Sequence, residues 1–369
     1  MAAAGGAPPA RPVQPARPAR QPLPGPLQVF VPYNPRVAST RVRVHHWLQR
    51  TGIAAQVHDW AALGNHGVGT LARHPVGVAR AELQLRRRES HGSFDRVLVQ
   101  RQVSPFSGGP LERRILTGAR LGVYDFDDAL MTMPRAGVQR LWPKAEACRA
   151  GVTYADRVLA GSEYLADWAQ DYCTDVRLIP TCVEVGDYRE KADYDLADPP
   201  RLVWLGSPAT EHHLRLVAAA VARANEDFGA RLAVISAGDR DLGPLTPFVD
   251  RVQWYPGVES TLADYDLGLA PLLDEPLARG KCAYKMLQYG AAGLPVVATP
   301  LGANAQVGVA LGVAFADGDE AWTDAVMGLL SAGATERAAV GAHARGQTQR
   351  SYSYDAWQDA WLAAVGEVD

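Results

Sequence analysis

Lys281, Lys285 and Gln288 are the residues of this chain whose types and spacing most invite chemistry. A helix opening after Gly280 and closing at Gly293 carries them at i, i+4 and i+7, on one polar, cationic face. Met286, Leu287 and Ala291 fall on the opposite, packing face. Cations at the start of a helix add to its free N–H groups and to the positive end of its dipole, and the natural guest is a phosphate. Of 37 basic residues only four are lysines, Lys144, Lys191, Lys281 and Lys285, so two of the four lie one turn apart. A compact ammonium meets a phosphate from several directions, where a guanidinium imposes a planar fork. A solvated helix face is the plain alternative.

A second loop points at the same ligand. The strand-like Val203-Trp204-Leu205 ends in Gly206-Ser207-Pro208-Ala209-Thr210, where Gly206 permits close backbone approach and Ser207 before Pro208 is an N-cap. An ordinary capped helix has the same pattern. Elsewhere, Tyr124-Asp125-Phe126-Asp127-Asp128-Ala129 sets three carboxylates at a strand end. They fit the D-x-D-x-T of a haloacid-dehalogenase-like phosphatase, with Ala129 in place of the threonine and three strands ahead of a motif that normally opens its domain. They also fit a metal-binding D-x-D pair, or carboxylates that hold a sugar hydroxyl or stabilise a cationic transition state. Simple capping of the next loop suits Asp125 and Asp128 as well. The adjacent pairs His45-His46 and His212-His213 point to different helix faces, which argues against a shared metal. Arg41 and Arg43 follow the first strand, in reach of an anion or of solvent. The run Arg86-Arg87-Arg88 reads as a solvated helix end or a contact with an anionic membrane.

These residues need a scaffold, and the chain supplies β-then-α alternation almost throughout. Strands are expected over 27–33, 54–60, 95–101, 121–126, 157–160 and 176–179, then over 201–205, 232–236, 251–255, 266–270, 295–299 and 313–315. Short apolar strands alternating with helices mean a mostly parallel sheet covered on both faces. Residues 1–26 hold eight prolines and no acidic residue, and read as a disordered tail. The expected domains are 27–183, a polar linker over 184–200, and 201–352. A last helix over 353–369, with Trp357 and Trp361 at i and i+4, crosses back to the first domain. Two doubly wound halves leave a central cleft at the carboxyl edges of their sheets, where such folds bind ligands. At 47% apolar residues the cores are well supplied, and a net charge of -3 argues against general nucleic-acid binding. Four cysteines, Cys148, Cys173, Cys182 and Cys282, lie far apart without C-x-x-C spacing, so free thiols and no structural zinc are expected. No apolar run approaches a membrane span, and a soluble, cytoplasmic protein is expected, with at most a peripheral membrane contact.

From residue 27 onward the sequence resembles the family 4 retaining glycosyltransferases of the GT-B fold. The resemblance is carried by Tyr124-Asp125-Phe126-Asp127-Asp128, similar to the family's D-x-H-D with Asp127 where His is common. Supporting it are Ala155 to Ser162, Ile179-Pro180, Trp204 to Pro208, and Lys281 to Thr299 with its A-A-G-x-P-V-V-A end. It implies a nucleotide diphospho-sugar donor in the C-terminal domain, an acceptor in the N-terminal domain, retention, and chemistry without a metal or other cofactor. Carried over by position, Lys281 and Lys285 lie near the diphosphate with Gly206 and Ser207 beside them. Gln288 falls where the second Glu of the family's E-x7-E holds the ribose, and Tyr255 joins the donor-binding set. The first Glu of that motif lands on Gly280, so Asp274 or Glu275 would substitute from the preceding loop, and the usual R-x4-K pair is missing. Asp127 and Asp125 are the catalytic candidates, Asp127 being the better one for contacting the reacting sugar.

The expected activity is transfer of a sugar from a nucleotide diphospho-sugar to a hydroxyl or amine of a small natural product or envelope glycan. An Arg- and Ala-rich, Lys-poor composition looks like that of a high-GC bacterium. Gly280 suggests one alternative, a nucleotide-sugar-binding protein without catalysis, and the Asp125–Asp128 run another, the phosphatase.

Overall fold

The computed structural model of the chain describes residues 25–60, 68–90 and 94–366. The tail expected over 1–26 lies outside them except for Gly25 and Pro26. Among the described residues two sheets of six strands form, one in each of two compact units.

The first sheet is built from β1 (Leu27–Val31), β2 (Ala55–Asp59), β3 (Phe94–Gln100), β4 (Ala119–Phe126), β5 (Arg157–Ala160) and β6 (Val176–Leu178). Its order is β2-β1-β3-β4-β5-β6, every pair parallel. The second takes β7 (Arg201–Leu205), β8 (Arg231–Ser236), β9 (Val249–Gln253), β10 (Leu267–Ala270), β11 (Val296–Ala298) and β12 (Ala314–Phe315). Its order is β12-β11-β10-β7-β8-β9, again parallel. Helices cover both faces of each sheet, so strands such as Leu202-Val203-Trp204-Leu205 and Val296-Val297-Ala298 are buried along their length. Each unit is doubly wound and Rossmann-like, as the alternation predicts. Its strand order reverses at one place, between β1 and β3 in the first unit and between β7 and β10 in the second.

At the second reversal the strands part early. β7 and β10 pair only through Leu202 with Leu267 and Val203 with Gly268. Beyond that the Tyr289 hydroxyl enters between them, accepting the Leu205 N–H at 2.9 Å and donating to the Leu269 carbonyl at 3.4 Å. Gly268 makes this possible, because a Cβ there would come within 2.8 Å of the Tyr289 ring. The backbone groups freed by the split are thereby satisfied inside the core.

The boundaries differ from those expected. The first unit ends at Ile179 and resumes at Gln358, and the second is Pro180–Trp357. Residues 184–200 do not hang free between domains. Val185 and Tyr188 are buried in the second unit's core, the Lys191 N–H donates to the Ala292 carbonyl at 2.9 Å, and Val183 bridges to Ser353. Apolar residues interleaved among the acidic ones give this segment something to bury. The last helix, Tyr354–Ala364, does return to the first unit: Trp361 stacks on Trp47 with ring centroids 5.3 Å apart and planes 7° from parallel. Among the described residues no helix is long and apolar enough to cross a membrane.

Candidate functional site

The helix expected to open after Gly280 and close at Gly293 begins later, over Tyr284–Ala292, and a short separate helix, Pro276–Arg279, precedes it. Between them Ala283 adopts φ +54, a left-handed conformation that ends one helical path and starts another. Lys281 therefore lies in the connection, and only Lys285 and Gln288 share a helix face. Gln288 is also not on a solvent-facing polar stripe: it is 5% exposed and hydrogen-bonds the buried Tyr188 side chain. A helix that lies between a sheet and the 184–200 segment buries the face that sequence periodicity assigns to solvent.

Lys285 is held by an aromatic plane. Its Nζ sits 4.9 Å from the centre of the Trp204 ring at the end of β7. Gly206 serves that same ring, since a Cβ at 206 would come within 2.4 Å of it. Its lack of a side chain thus seats Trp204, and Trp204 in turn aims Lys285. Ser207 does occupy the N-cap position, with Pro208 following, but the helix it opens over Pro208–Val217 is wound in 3-10 turns. The Ser207 carbonyl accepts the Thr210 N–H at 2.9 Å, and the Ser207 hydroxyl is exposed.

On this helix stand two histidines whose meaning their adjacency in sequence does not reveal. The His212 and His213 rings do not diverge; their centroids are 4.0 Å apart. His213 is buried, and its Nδ1 accepts the Leu273 N–H at 3.2 Å, so in the neutral ring Nε2 carries the proton and is a donor. Burial first, then His212 and the cations Lys285, Lys281 and Arg215, pull its pKa from 6.5 down to about 3. The electrostatics thus place both lysines near a neutral imidazole. His212 has Nδ1 3.0 Å from the Ala209 carbonyl oxygen and Nε2 3.2 Å from a Glu275 carboxylate oxygen. Together His212, His213 and Glu275 bring three ligand atoms within 4.8 Å, the spacing of a cation site. The His213 Nε2–H and the nearby lysines suit an anion instead. Glu211, between Thr210 and the histidines, is 2% exposed and takes both Nη atoms of Arg251 at 3.0 and 3.2 Å, which pins the helix to β9.

Loops after β7 and β10 thus bring Ser207, His213, Lys281 and Lys285 to the carboxyl edge of the sheet at its strand-order reversal, where doubly wound folds take ligands. Asp274 and Glu275 lie in the second of these loops. Asp274 is gripped by Arg279 through bonds of 2.6 and 2.8 Å, and Glu275 faces His212. Tyr255 is not part of the cluster's strands. It follows β9, the edge strand two places from β7, and is 49% exposed.

The aspartates of the first unit separate into two roles. Asp125 is 1% exposed and forked by Arg43, whose Nε reaches Oδ1 at 3.2 Å and whose Nη2 binds Oδ2; Nη1 of the same arginine donates to the Ile179 carbonyl at 2.6 Å. Arg43 is therefore neither a solvent group nor an anion contact but the partner that lets a carboxylate be buried beneath β4. An Asp125 so engaged cannot serve as a phosphatase nucleophile or touch a sugar. Asp127 and Asp128 lie further out and share Arg101, with Nε–Oδ1 and Nη2–Oδ2 distances of 2.6 Å each. Arg101 holds φ +61 just past β3, turned by the Tyr124 hydroxyl that donates to its carbonyl at 2.6 Å. Of the two catalytic candidates only Asp127 remains partly accessible.

Residues 199–332 match the family described as glycosyl transferases group 1. No curated protein matches the sequence. Among solved structures, HepE of Anabaena, in complex with UDP and glucose, superposes with a TM-score of 0.65 at 13% identity, covering 93% of this chain and 99% of that one. WaaG, a glycosyltransferase involved in lipopolysaccharide biosynthesis, gives 0.63 at 14% identity over 92% of this chain and 100% of that one. TarM gives 0.55 at 10% identity over 73% of this chain, which spans about half, 54%, of TarM. The fold is that of the GT-B glycosyltransferases, two Rossmann-like units each with a parallel sheet.

Proposed function

From a glycosyl transferases group 1 match over residues 199–332 of a GT-B fold, we propose that the chain is a glycosyltransferase using a nucleotide diphospho-sugar. The observation that carries this is the convergence of Lys281, Lys285 and the neutral His213 at the β7/β10 reversal. HepE's complex with UDP and glucose makes UDP-glucose the first donor to try. In this reading the two ammonium groups and the His213 Nε2–H meet the diphosphate, with Ser207 beside them.

The reaction breaks the bond between the anomeric carbon and a phosphate oxygen and forms one from that carbon to an acceptor oxygen or nitrogen. Charge grows on the leaving diphosphate, so cations fixed in place beforehand act more strongly on the transition state than on the ground state. With retention the leaving phosphate takes the acceptor proton on the same face, and neither a metal nor another cofactor is needed. The first unit takes the acceptor. Asp127 is its candidate for contacting the reacting sugar, and Asp125 is the structural partner of Arg43. Gln288 is engaged with Tyr188 and does not hold the ribose in this reading.

The test is a thermal-shift screen with UDP, GDP, dTDP and ADP and their sugars on the wild type, Lys281→Ala and Lys285→Ala. At a hundredfold excess over a micromolar Kd, binding adds about 2.7 kcal/mol. One nucleotide family should stabilise the wild type and neither variant. Absence of any shift in the wild type would sink the reading. NMR of the transferred sugar reports retention, and transfer in EDTA reports metal dependence.

A further inference from the structure

Among the described residues two that are not glycine hold a positive φ: Ala283 at +54, between the lysines of the second unit, and Arg101 at +61. Arg101 is the first residue past β3, and β1 and β3 flank the place where the first sheet reverses its strand order. Its backbone is the centre of a three-residue turn that the Gln102 N–H closes on the Gln100 carbonyl at 2.8 Å, the rare hand of that turn for a residue with a Cβ. Glycine is the default in such a conformation, and another residue persists there only where its surroundings over-determine it. Here they do. The Arg101 N–H donates to the Asp125 carbonyl at 2.8 Å, and the Tyr124 hydroxyl donates to the Arg101 carbonyl at 2.6 Å. Tyr124 is itself fully buried, in a space that exists because residue 151 is glycine: a Cβ there would overlap the ring.

What the turn achieves shows in the side chain. Arg101 gives Nε to Asp127 Oδ1 and Nη2 to Asp128 Oδ2, at 2.6 Å each. Arg43 behaves differently, sending Nε and Nη2 to the two oxygens of Asp125 alone. One charge there answers one carboxylate. Arg101 divides one charge between two, so it fixes the direction of Asp127 without neutralising it. The Asp127 and Asp128 side chains are 12% and 20% exposed, against 1% for Asp125, so the divided pair is the one a ligand reaches. Burial works against the charge on Arg101, but Asp127 and then Asp128 hold its pKa well above the usual arginine value, and the guanidinium stays charged.

We propose that Arg101 is the positioning residue for Asp127 in sugar transfer, and that Asp128, by taking a share of the Arg101 charge, keeps Asp127 negative toward the positive charge that develops at the anomeric carbon. The role in transfer rests on the glycosyltransferase reading; the divided clamp does not. The assay is cleavage of UDP-glucose by the full chain with water as acceptor, or of whichever GDP, dTDP or ADP sugar stabilises the chain better. The bond from the anomeric carbon to the phosphate oxygen breaks, one to the water oxygen forms, and the water proton leaves with the diphosphate.

Asp127→Asn should lower kcat about a hundredfold. Arg101→Lys keeps the charge but not the fork, and should lower kcat about tenfold with the donor KM within about twofold of the wild type. Because Arg101 acts through Asp127, Arg101→Lys combined with Asp127→Asn should be no slower than Asp127→Asn alone. Asp128→Asn should also slow cleavage, about fivefold, since Arg101 then gives its whole charge to Asp127. Near-UV circular dichroism and nucleotide affinity are the controls for the fold of each unit and should match the wild type. If Arg101→Lys does not keep the spectrum, the rate of Asp128→Asn decides. Losses that multiply in the double variant, an Asp128→Asn as fast as the wild type, or an Arg101→Lys effect confined to KM overturns the proposal and leaves the glycosyltransferase reading standing. A wild type that cleaves none of the four sugars overturns the enzymatic reading, and the proposal with it.

Discussion

His213 shows how a residue is tuned by what surrounds it. Its ordinary pKa of 6.5 falls to about 3 because the ring is buried and then because His212, Lys285, Lys281 and Arg215 oppose a further positive charge. The folded chain therefore keeps this imidazole neutral where the unfolded chain protonates it. Stability is lost as pH falls below 6.5 toward about 3, at about 1.4 kcal/mol for each pH unit crossed in that window. His213→Gln has no such proton to refuse. Urea midpoints followed downward in pH should fall more steeply for the wild type than for His213→Gln, and parallel curves would show that His213 is not held neutral. The two lysines were legible because lysine is scarce in this chain. His213 was not, because its meaning depends on the Leu273 N–H it meets 60 residues later. Likewise Asp125 and Arg43, 82 residues apart, look like site residues until each is seen to neutralise the other.

At the level of elements, all the expected strands form to within a few residues, most of them short apolar runs between polar breaks, with Ala55–Asp59 and Val249–Gln253 the more polar edge strands. The helix carrying the lysines is where pattern misled. Nothing in Lys281-Cys282-Ala283-Tyr284 marks a break, for Ala is the best of helix formers, yet tertiary packing holds Ala283 at φ +54. Such a conformation costs an L-residue about 1–2 kcal/mol, and here it breaks the helical path between Lys281 and Lys285, both of which act electrostatically on His213. Ala283→Gly should hold stability within about 1 kcal/mol of the wild type, relief of strain offsetting the added freedom of the unfolded chain. Ala283→Val, β-branched and 5% exposed, should cost about 2–4 kcal/mol and weaken nucleotide binding with it. Denaturation and UDP titration of the pair check this. A valine as well tolerated as the glycine would mean that the left-handed turn is not what places the lysines.

At the level of the molecule, the chain leaves its first unit at Ile179 and comes back to it at Gln358, so the first core is completed by residues that follow the whole second unit in sequence. Trp361 and Trp47, each 1% exposed, stack there, and Arg157 binds the Ala363 and Ala364 carbonyls at 2.8 Å each, satisfying the end of the returning helix with a cation where its dipole is negative. The return itself was legible in the Trp357, Trp361 spacing. The partition of the two tryptophans was not, because Trp357 donates to the Ser351 carbonyl at 2.8 Å and stays with the second unit, a distinction that spacing does not encode. The two units should accordingly respond separately. Trp361→Ala removes the stacked ring and should cost the first unit about 3–5 kcal/mol, with Trp361→Phe losing less. The cluster of Ser207, His213, Lys281 and Lys285 that we propose binds the donor lies wholly in Pro180–Trp357, so nucleotide affinity in Trp361→Ala should stay within about twofold of the wild type. Near-UV circular dichroism with limited proteolysis follows the first unit, and UDP titration the second. Nucleotide binding that falls in step with the first unit's stability would show that the donor cluster depends on the returning helix, and that one core governs both.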